Sequence, residues 1–328
     1  MPFAACRVFQ RGDGVEARIV EMQVAELTAG DVVIRAEWSG INYKDALAVT
    51  GRGKILKRFP LNAGIDVAGR VESSADTRFK AGDAVLVNGT GLGETNDGGF
   101  AEYVRVPADH VVPLPAGLTP FEAMTLGTAG FTAALSLYRM EVNGQTSAQG
   151  PIVVTGATGG VGSAAVSMFA SRGYRVIAVS GRPEHAAYLR ELGAGEVTAA
   201  DGLQLGARPL ESVRFGGVVD NVGGPLLAGL LRHVQLWGNV AAVGNAGGPA
   251  FETTVFPFIL RGVSLLGASS TNCPMPLRRE IWNRLAGDLK PAHLATIASR
   301  VVPLADVMAA CETLVNRTAR GRVVVDCR

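Results

Sequence analysis

A chain of 328 residues is long enough for two domains of ordinary size, each burying its own core. Its 31 basic and 29 acidic residues nearly cancel to a formal charge of +2, and aromatic residues make up only 6%. That balance excludes a basic nucleic-acid surface as the main partner, and no apolar stretch is long enough to span a bilayer.

The opening residues Met1-Pro2-Phe3-Ala4-Ala5-Cys6-Arg7 carry neither the basic flank nor the apolar core of a secretory signal, so a cytoplasmic protein acting on a compact metabolite is expected. Alternating runs at 31–37 and 83–87, set between Gly, Pro and Asp turns, predict a β-rich first domain. The segment 52–58 is the densest basic cluster in the chain, with Arg52, Lys54, Lys57 and Arg58. Residues 64–71 and 79–85 read as a strand, turn and strand, which 98–103 continues into the same small barrel. Helical spacing returns near Pro120. The four cysteines, Cys6, Cys273, Cys311 and Cys327, are scattered without CxxC spacing, which predicts buried or incidental thiols and neither a disulfide framework nor a zinc knuckle.

The most informative stretch is Val153-Val154-Thr155-Gly156-Ala157-Thr158-Gly159-Gly160-Val161-Gly162-Ser163, where an apolar strand gives way to a helix with a glycine at every third position. Gly156 permits the turn, Gly159 leaves room for a pyrophosphate, and Gly162 lets helix and strand pack closely. The phosphates then meet free N–H groups at the positive end of the helix dipole. A second strand at 175–179 completes the β-α-β unit, so the cradle, Thr158 to Gly162, is expected to hold a dinucleotide. At the end of that second strand stand Ser180, Gly181 and Arg182, with no carboxylate to repel a 2′-phosphate. This selects NADPH over NADH; the alternative is a solvated turn that merely opens the next helix. Further strand ends are legible at 218–224, 240–245 and 265–270.

With these motifs in place the chain resembles the medium-chain dehydrogenase/reductase superfamily, in which a GroES-like β-barrel domain precedes a Rossmann domain and the C-terminal segment returns to the first. Asn42-Tyr43-Lys44-Asp45-Ala46-Leu47, Gly64-Ile65-Asp66, Gly127-Thr128-Ala129-Gly130-Phe131-Thr132-Ala133 and Pro257-Phe258-Ile259-Leu260-Arg261-Gly262 are similar to the zinc-independent acrylyl-CoA reductase subfamily, often labelled quinone oxidoreductase-like. The resemblance implies an α/β fold with a doubly wound parallel Rossmann sheet at 127–271 and a GroES-like domain built from 1–126 and 272–328. It implies that Tyr43, Thr128, Asn245, Ile259, Ser270 and Asn316 join the glycine loop and residues 180–182 around NADPH. It also implies a homodimer, because the run at 263–267 reads as an edge strand of the kind these proteins pair between subunits.

Gly64-Ile65-Asp66 stands where zinc-dependent relatives carry Gly-His-Glu, 42–45 offers no cysteine, and no cysteine lies between Cys6 and Cys273, so no metal site is expected. Without a Lewis acid the economical chemistry is hydride addition to an activated C=C bond or a quinone. The expected activity is NADPH-dependent reduction of acryloyl-CoA or a similar short enoyl-CoA. Tyr43 is the candidate catalytic residue, its phenol donating to the developing enolate or to the cofactor, and Asp45 the candidate to orient it or relay a proton. The same residues read equally as a helix start, with Asn42 as N-cap and Asp45 as its capping partner. The cluster Arg52, Lys54, Lys57 and Arg58 is placed on the phosphates of a CoA thioester, against the alternative of a solvated loop. Two rival functions stay open: an NADPH:quinone oxidoreductase, and an NADPH-binding protein whose turnover is incidental.

Overall fold

The computed structural model describes residues 2–328; Met1 lies outside the described residues. The chain forms two units. The first contains residues 2–129, Ser270–Gly287 and Ala298–Arg328; the second contains Gly130–Ser269 and Asp288–Ile297.

In the first unit, strand Val32–Gly40 pairs antiparallel with Asp66–Ser74, with Tyr103–Val106 and with Arg322–Asp326. Its side chains alternate, so Val32, Ile34 and Ala36 enter the core with Phe100, Val104 and Val325. Arg322–Asp326 continues the sheet to Ala298–Pro303, its parallel neighbour. A smaller three-stranded sheet is built from Pro2–Arg11, Gly14–Gln23 and Leu61–Asn62. Helix Tyr43–Thr50 begins directly after the long central strand and packs on helix Val307–Val315.

The second unit is a six-stranded, wholly parallel sheet. Its strands stand in the order Glu196–Thr198, Val176–Val179, Ile152–Val154, Phe215–Asp220, Val234–Ala242, Ser264–Gly267. The first strand in the chain therefore lies mid-sheet and the winding reverses between Ile152–Val154 and Phe215–Asp220, the doubly wound order expected. Those two strands are buried throughout, as unbroken apolar runs must be when helices cover both faces.

The joins differ from the expected ones. Residues 127–129 and 270–271 go with the first unit: Thr128 donates to Asp66, the Ser270 carbonyl accepts from Arg278 and the Thr271 carbonyl from the Thr90 amide, and helix Pro120–Val142 is broken at Gly127, where φ is 49°. Residues 288–297 go with the second, because helix Leu294–Ile297 packs on Gly160–Ser171 and the Thr296 hydroxyl donates to Glu191 at 2.8 Å.

Candidate active site

The glycine loop of the second unit has three glycines with three different reasons. Gly156 adopts φ 57°, which L side chains rarely enter. A Cβ on Gly162 would lie 2.3 Å from the Gly156 carbonyl oxygen and 2.6 Å from Ala157 Cα, so helix and loop touch only because no side chain intervenes. Gly159 has neither constraint: φ is −78° and its nearest neighbour would sit at 3.4 Å. Its bareness serves whatever approaches from outside the protein. No side chain caps helix Gly160–Ser171, so the amides of Gly160, Val161 and Gly162 are left for a ligand.

Beside this loop, Arg182 Nη2 donates to Thr158 Oγ1 at 2.7 Å, and the Arg182 amide donates to Ser180 Oγ at 3.1 Å. Thr158, Ser180, Gly181 and Arg182 are thus one cluster, with a guanidinium and two hydroxyls and no carboxylate among them. Tyr188 fixes the following helix to the loop by donating to Ser163 Oγ at 2.9 Å. Asn245 lies at the neighbouring strand ends, where the Gly244 backbone closes on Asn221.

Ile259 stands on a different element. It is 67% exposed, on helix Phe256–Arg261, whose Arg261 donates to the carbonyls of Arg232 and Val234. That is the amino end of strand Val234–Ala242, opposite the carboxyl ends where the loop stands.

The first unit holds a second polar cluster. Helix Tyr43–Thr50 starts at Asn42, whose amide donates to Asp45 Oδ2 at 2.8 Å, while the Ile65 amide donates to Asp45 Oδ1 at 2.9 Å. Asp45 is buried with both oxygens accepting hydrogen bonds, in the arrangement of a helix cap. Burial, and secondarily the nearby Asp66, pushes its pKa up to about 7. Tyr43, the first helical residue, is 43% exposed, and its hydroxyl makes no hydrogen bond among the described residues.

Asn42 Nδ2 also donates to Asp66 Oδ2 at 2.7 Å. Asp66 accepts the Thr128 amide at 2.8 Å and the Thr128 hydroxyl at 2.6 Å, so the donor capacity of Thr128 is spent inside the unit. Arg322 closes the cluster. Its Nη1 donates to Ile41 O at 2.7 Å and Asn42 Oδ1 at 2.9 Å, its Nε to Thr125 O at 3.1 Å, and its Nη2 to Met124 O at 3.4 Å and Asp66 Oδ2 at 3.5 Å. All five guanidinium donors are placed, as a fully buried charge requires.

Asn316 and Ser270 fall elsewhere in this unit. Asn316 ends helix Val307–Val315 and accepts Arg52 Nη1 at 3.0 Å, while Ser270 gives its carbonyl to the buried Arg278. Arg52 also pairs with Glu312 at 3.1 Å, so it is partly neutralised. Lys54, Lys57 and Arg58 are exposed, on a loop tied down where the Lys57 amide donates to Glu94 O. The sequence reading missed Asp66 and Arg322 as members of a polar cluster: Asp66 was seen only as the replacement of a metal ligand, and Arg322 lies 256 residues away from it.

The alcohol dehydrogenase GroES-like domain family matches residues 28–116, and the zinc-binding dehydrogenase family matches residues 160–286. The putative quinone oxidoreductase YhfP of Bacillus subtilis is 46% identical over 324 residues, 98% of either chain. Acrylyl-CoA reductase AcuI of Ruegeria pomeroyi is 43% identical over 95% of this chain and 94% of its own. The crystal structure of Escherichia coli YhdH with bound NADPH has a TM-score of 0.95 at 42% identity, covering 99% of this chain and all of that one.

Zinc, which the second family's description names, does not fit the residues present. Among the described residues no three of His, Cys, Asp or Glu come together as a ligand set. The thiols near Asp45 are unsuited as well: burial pushes Cys6 up to about 12 and Cys311 higher still, against the thiolate a metal needs. No helix among the described residues is long and apolar enough to cross a membrane.

Proposed function

Because the chain belongs to the medium-chain dehydrogenase/reductase superfamily of oxidoreductases, we propose that it uses NADPH to reduce the C=C bond of acryloyl-CoA or a similar short enoyl-CoA without a metal. The observation that carries the cofactor half is the cluster of Thr158, Ser180 and Arg182 beside a bare Gly159. It offers a 2′-phosphate one guanidinium and two hydroxyls, where an adenosine ribose lacking that phosphate would call for a carboxylate. The resemblance to AcuI and YhdH supports the substrate half and the choice of cofactor.

When bound there, NADPH would supply a hydride to the β-carbon of the unsaturated thioester. As electrons move onto the thioester oxygen, Tyr43 stabilises the developing enolate by donating a hydrogen bond from its uncommitted hydroxyl, and a proton from solvent water adds to the α-carbon to complete the saturated thioester. Asn42 and Asp45 cap the helix that carries it, so the phenol is presented from an ordered backbone and not from a loop. Lys54, Lys57 and Arg58 take the phosphates of coenzyme A; Arg52, held by Glu312 and Asn316, organises that loop. The amides of Gly160, Val161 and Gly162 take the cofactor pyrophosphate, and Asn245 borders it. Thr128, Ser270, Ile259 and Asn316 are proposed as further contacts of the cofactor, by resemblance.

We place the protein in the cytoplasm as a homodimer, joined along the free edge of strand Ser264–Gly267. That edge carries exposed Leu265, and Leu236, Trp237, Phe256 and Leu260 are exposed in the same unit.

Quinone reduction is the second reading, favoured by the similarity to the putative quinone oxidoreductase YhfP. NADPH consumption followed with acryloyl-CoA and, separately, with benzoquinone decides between them. A kcat/KM far higher for the thioester, undiminished by a chelator and lower with NADH, supports the proposal; turnover of the quinone alone overturns it. Thermal stabilisation by NADPH with turnover of neither would leave a nucleotide-binding protein.

A further inference from the structure

Arg322 sits in a space made for it. A Cβ on Gly40 would lie 2.3 Å from its Nη2, and one on Gly127 would lie 2.5 Å from the same atom and 2.5 Å from Asp66 Oδ2. Gly127 further adopts φ 49°, at the point where its helix breaks. Two glycines, one helix break and five hydrogen bonds are committed to a single buried guanidinium. Its shortest two bonds go to Ile41 O and Asn42 Oδ1, the two residues immediately before Tyr43.

A buried ion pair is weak support for stability, since well-packed apolar side chains of similar volume often do as well. What the pair achieves here is direction. The Asn42 carboxamide is gripped from both sides, its oxygen by Arg322 and its nitrogen by Asp66 at 2.7 Å, with Asp45 at 3.1 Å. The first residue free of this grip is Tyr43, whose hydroxyl is uncommitted. We propose that Arg322 is a positioning residue for Tyr43: from the C-terminal strand it holds the peptide at 41–42 and so sets where the phenol stands. The proposal rests on the reading of Tyr43 as the enolate's hydrogen-bond donor. Arg322 touches no substrate; it acts through Asn42.

A double-mutant cycle tests this, using Arg322→Met, Tyr43→Phe and the double variant, with kcat and KM measured for acryloyl-CoA at saturating NADPH. Arg322→Met is expected to lower kcat about tenfold in the native background and by less than about twofold in the Tyr43→Phe background, because the phenol through which it acts is already gone. KM for acryloyl-CoA and the Kd for 2′,5′-ADP, a probe of the second unit alone, are expected to stay within about twofold of native. Equal losses of kcat in both backgrounds, or full kcat in Arg322→Met, overturn the proposal while leaving Tyr43 its role. Full kcat in Tyr43→Phe overturns the reading of Tyr43 itself, and the proposal with it. Where Arg322→Met does not fold, Asn42→Ser carries the same cycle, since serine is too short to bridge Arg322 and Asp66.

Discussion

Arg182 and Thr158 are hydrogen-bonded across 2.7 Å, guanidinium to hydroxyl, although 24 residues separate them in the chain. The guanidinium is therefore already folded toward the glycine loop before any nucleotide arrives. A 2′-phosphate meets a preorganised donor and little side-chain entropy remains to be lost. Arg182→Ala is expected to raise KM for NADPH by about tenfold or more and to change KM for NADH little, since a charge-assisted bond to phosphate contributes roughly 1.5–3 kcal/mol. Steady-state kinetics with both nucleotides gives the ratio; equal losses would mean the side chain only supports the loop.

Gly162 and Gly159 should separate stability from binding. Gly162→Ala drives a methyl into backbone atoms at 2.3 and 2.6 Å and is expected to cost about 3 kcal/mol in urea unfolding. Gly159→Ala meets only an ordinary contact at 3.4 Å and should unfold like the native chain, while its Kd for NADPH rises. A stability loss at Gly159 matching that at Gly162 would remove the distinction.

The buried Asp45 carboxyl gives a pH signature of defined sign. Its pKa in the folded chain is about 7, pushed up first by burial and then by Asp66, whereas an unfolded aspartate titrates near the ordinary value of about 3.9. Between those values the folded state holds a proton that the unfolded state has released, so this group's contribution to stability falls as pH rises from about 4 to about 7 and levels off above. Asp45→Asn should flatten that slope. Melting temperatures of both proteins across the window provide the comparison, and parallel curves would show that Asp45 does not titrate there.

Leu265 lies on the unpaired edge of the parallel sheet and is 37% exposed. Leu265→Arg is expected to convert a native dimer into a monomer in light scattering at micromolar concentration, with the fold intact by circular dichroism. A native protein that already runs as a monomer would refute the dimer.

How much of this was legible in the sequence depended on how far apart the partners lie. The glycine loop, the arginine after the second strand and the helix cap at Asn42 and Asp45 are local patterns, with partners within a few tens of residues, and they read directly from spacing. The polar cluster around Asp66 was not legible. Nothing near Gly321-Arg322-Val323 announces that its guanidinium ends between Gly40 and Gly127, because that placement follows from the strand Arg322–Asp326 pairing with Val32–Gly40. Asn316 and Ile259 were read in the opposite way. They come from likeness and not from local chemistry: here Asn316 accepts Arg52 and Ile259 is exposed on helix Phe256–Arg261, and no pattern within either segment announces a ligand.

The C-terminal strand also sets an order of manufacture. Ile41 and Arg322 are hydrogen-bonded but 281 residues apart, so on a ribosome the first unit to emerge waits for the last strand to be synthesised. Until then Asp66 lacks the Arg322 guanidinium and the end of strand Val32–Gly40, from Trp38 to Gly40, has an open edge. All of the second unit has been made by that time. The half of the protein that is translated first is the half that is finished last.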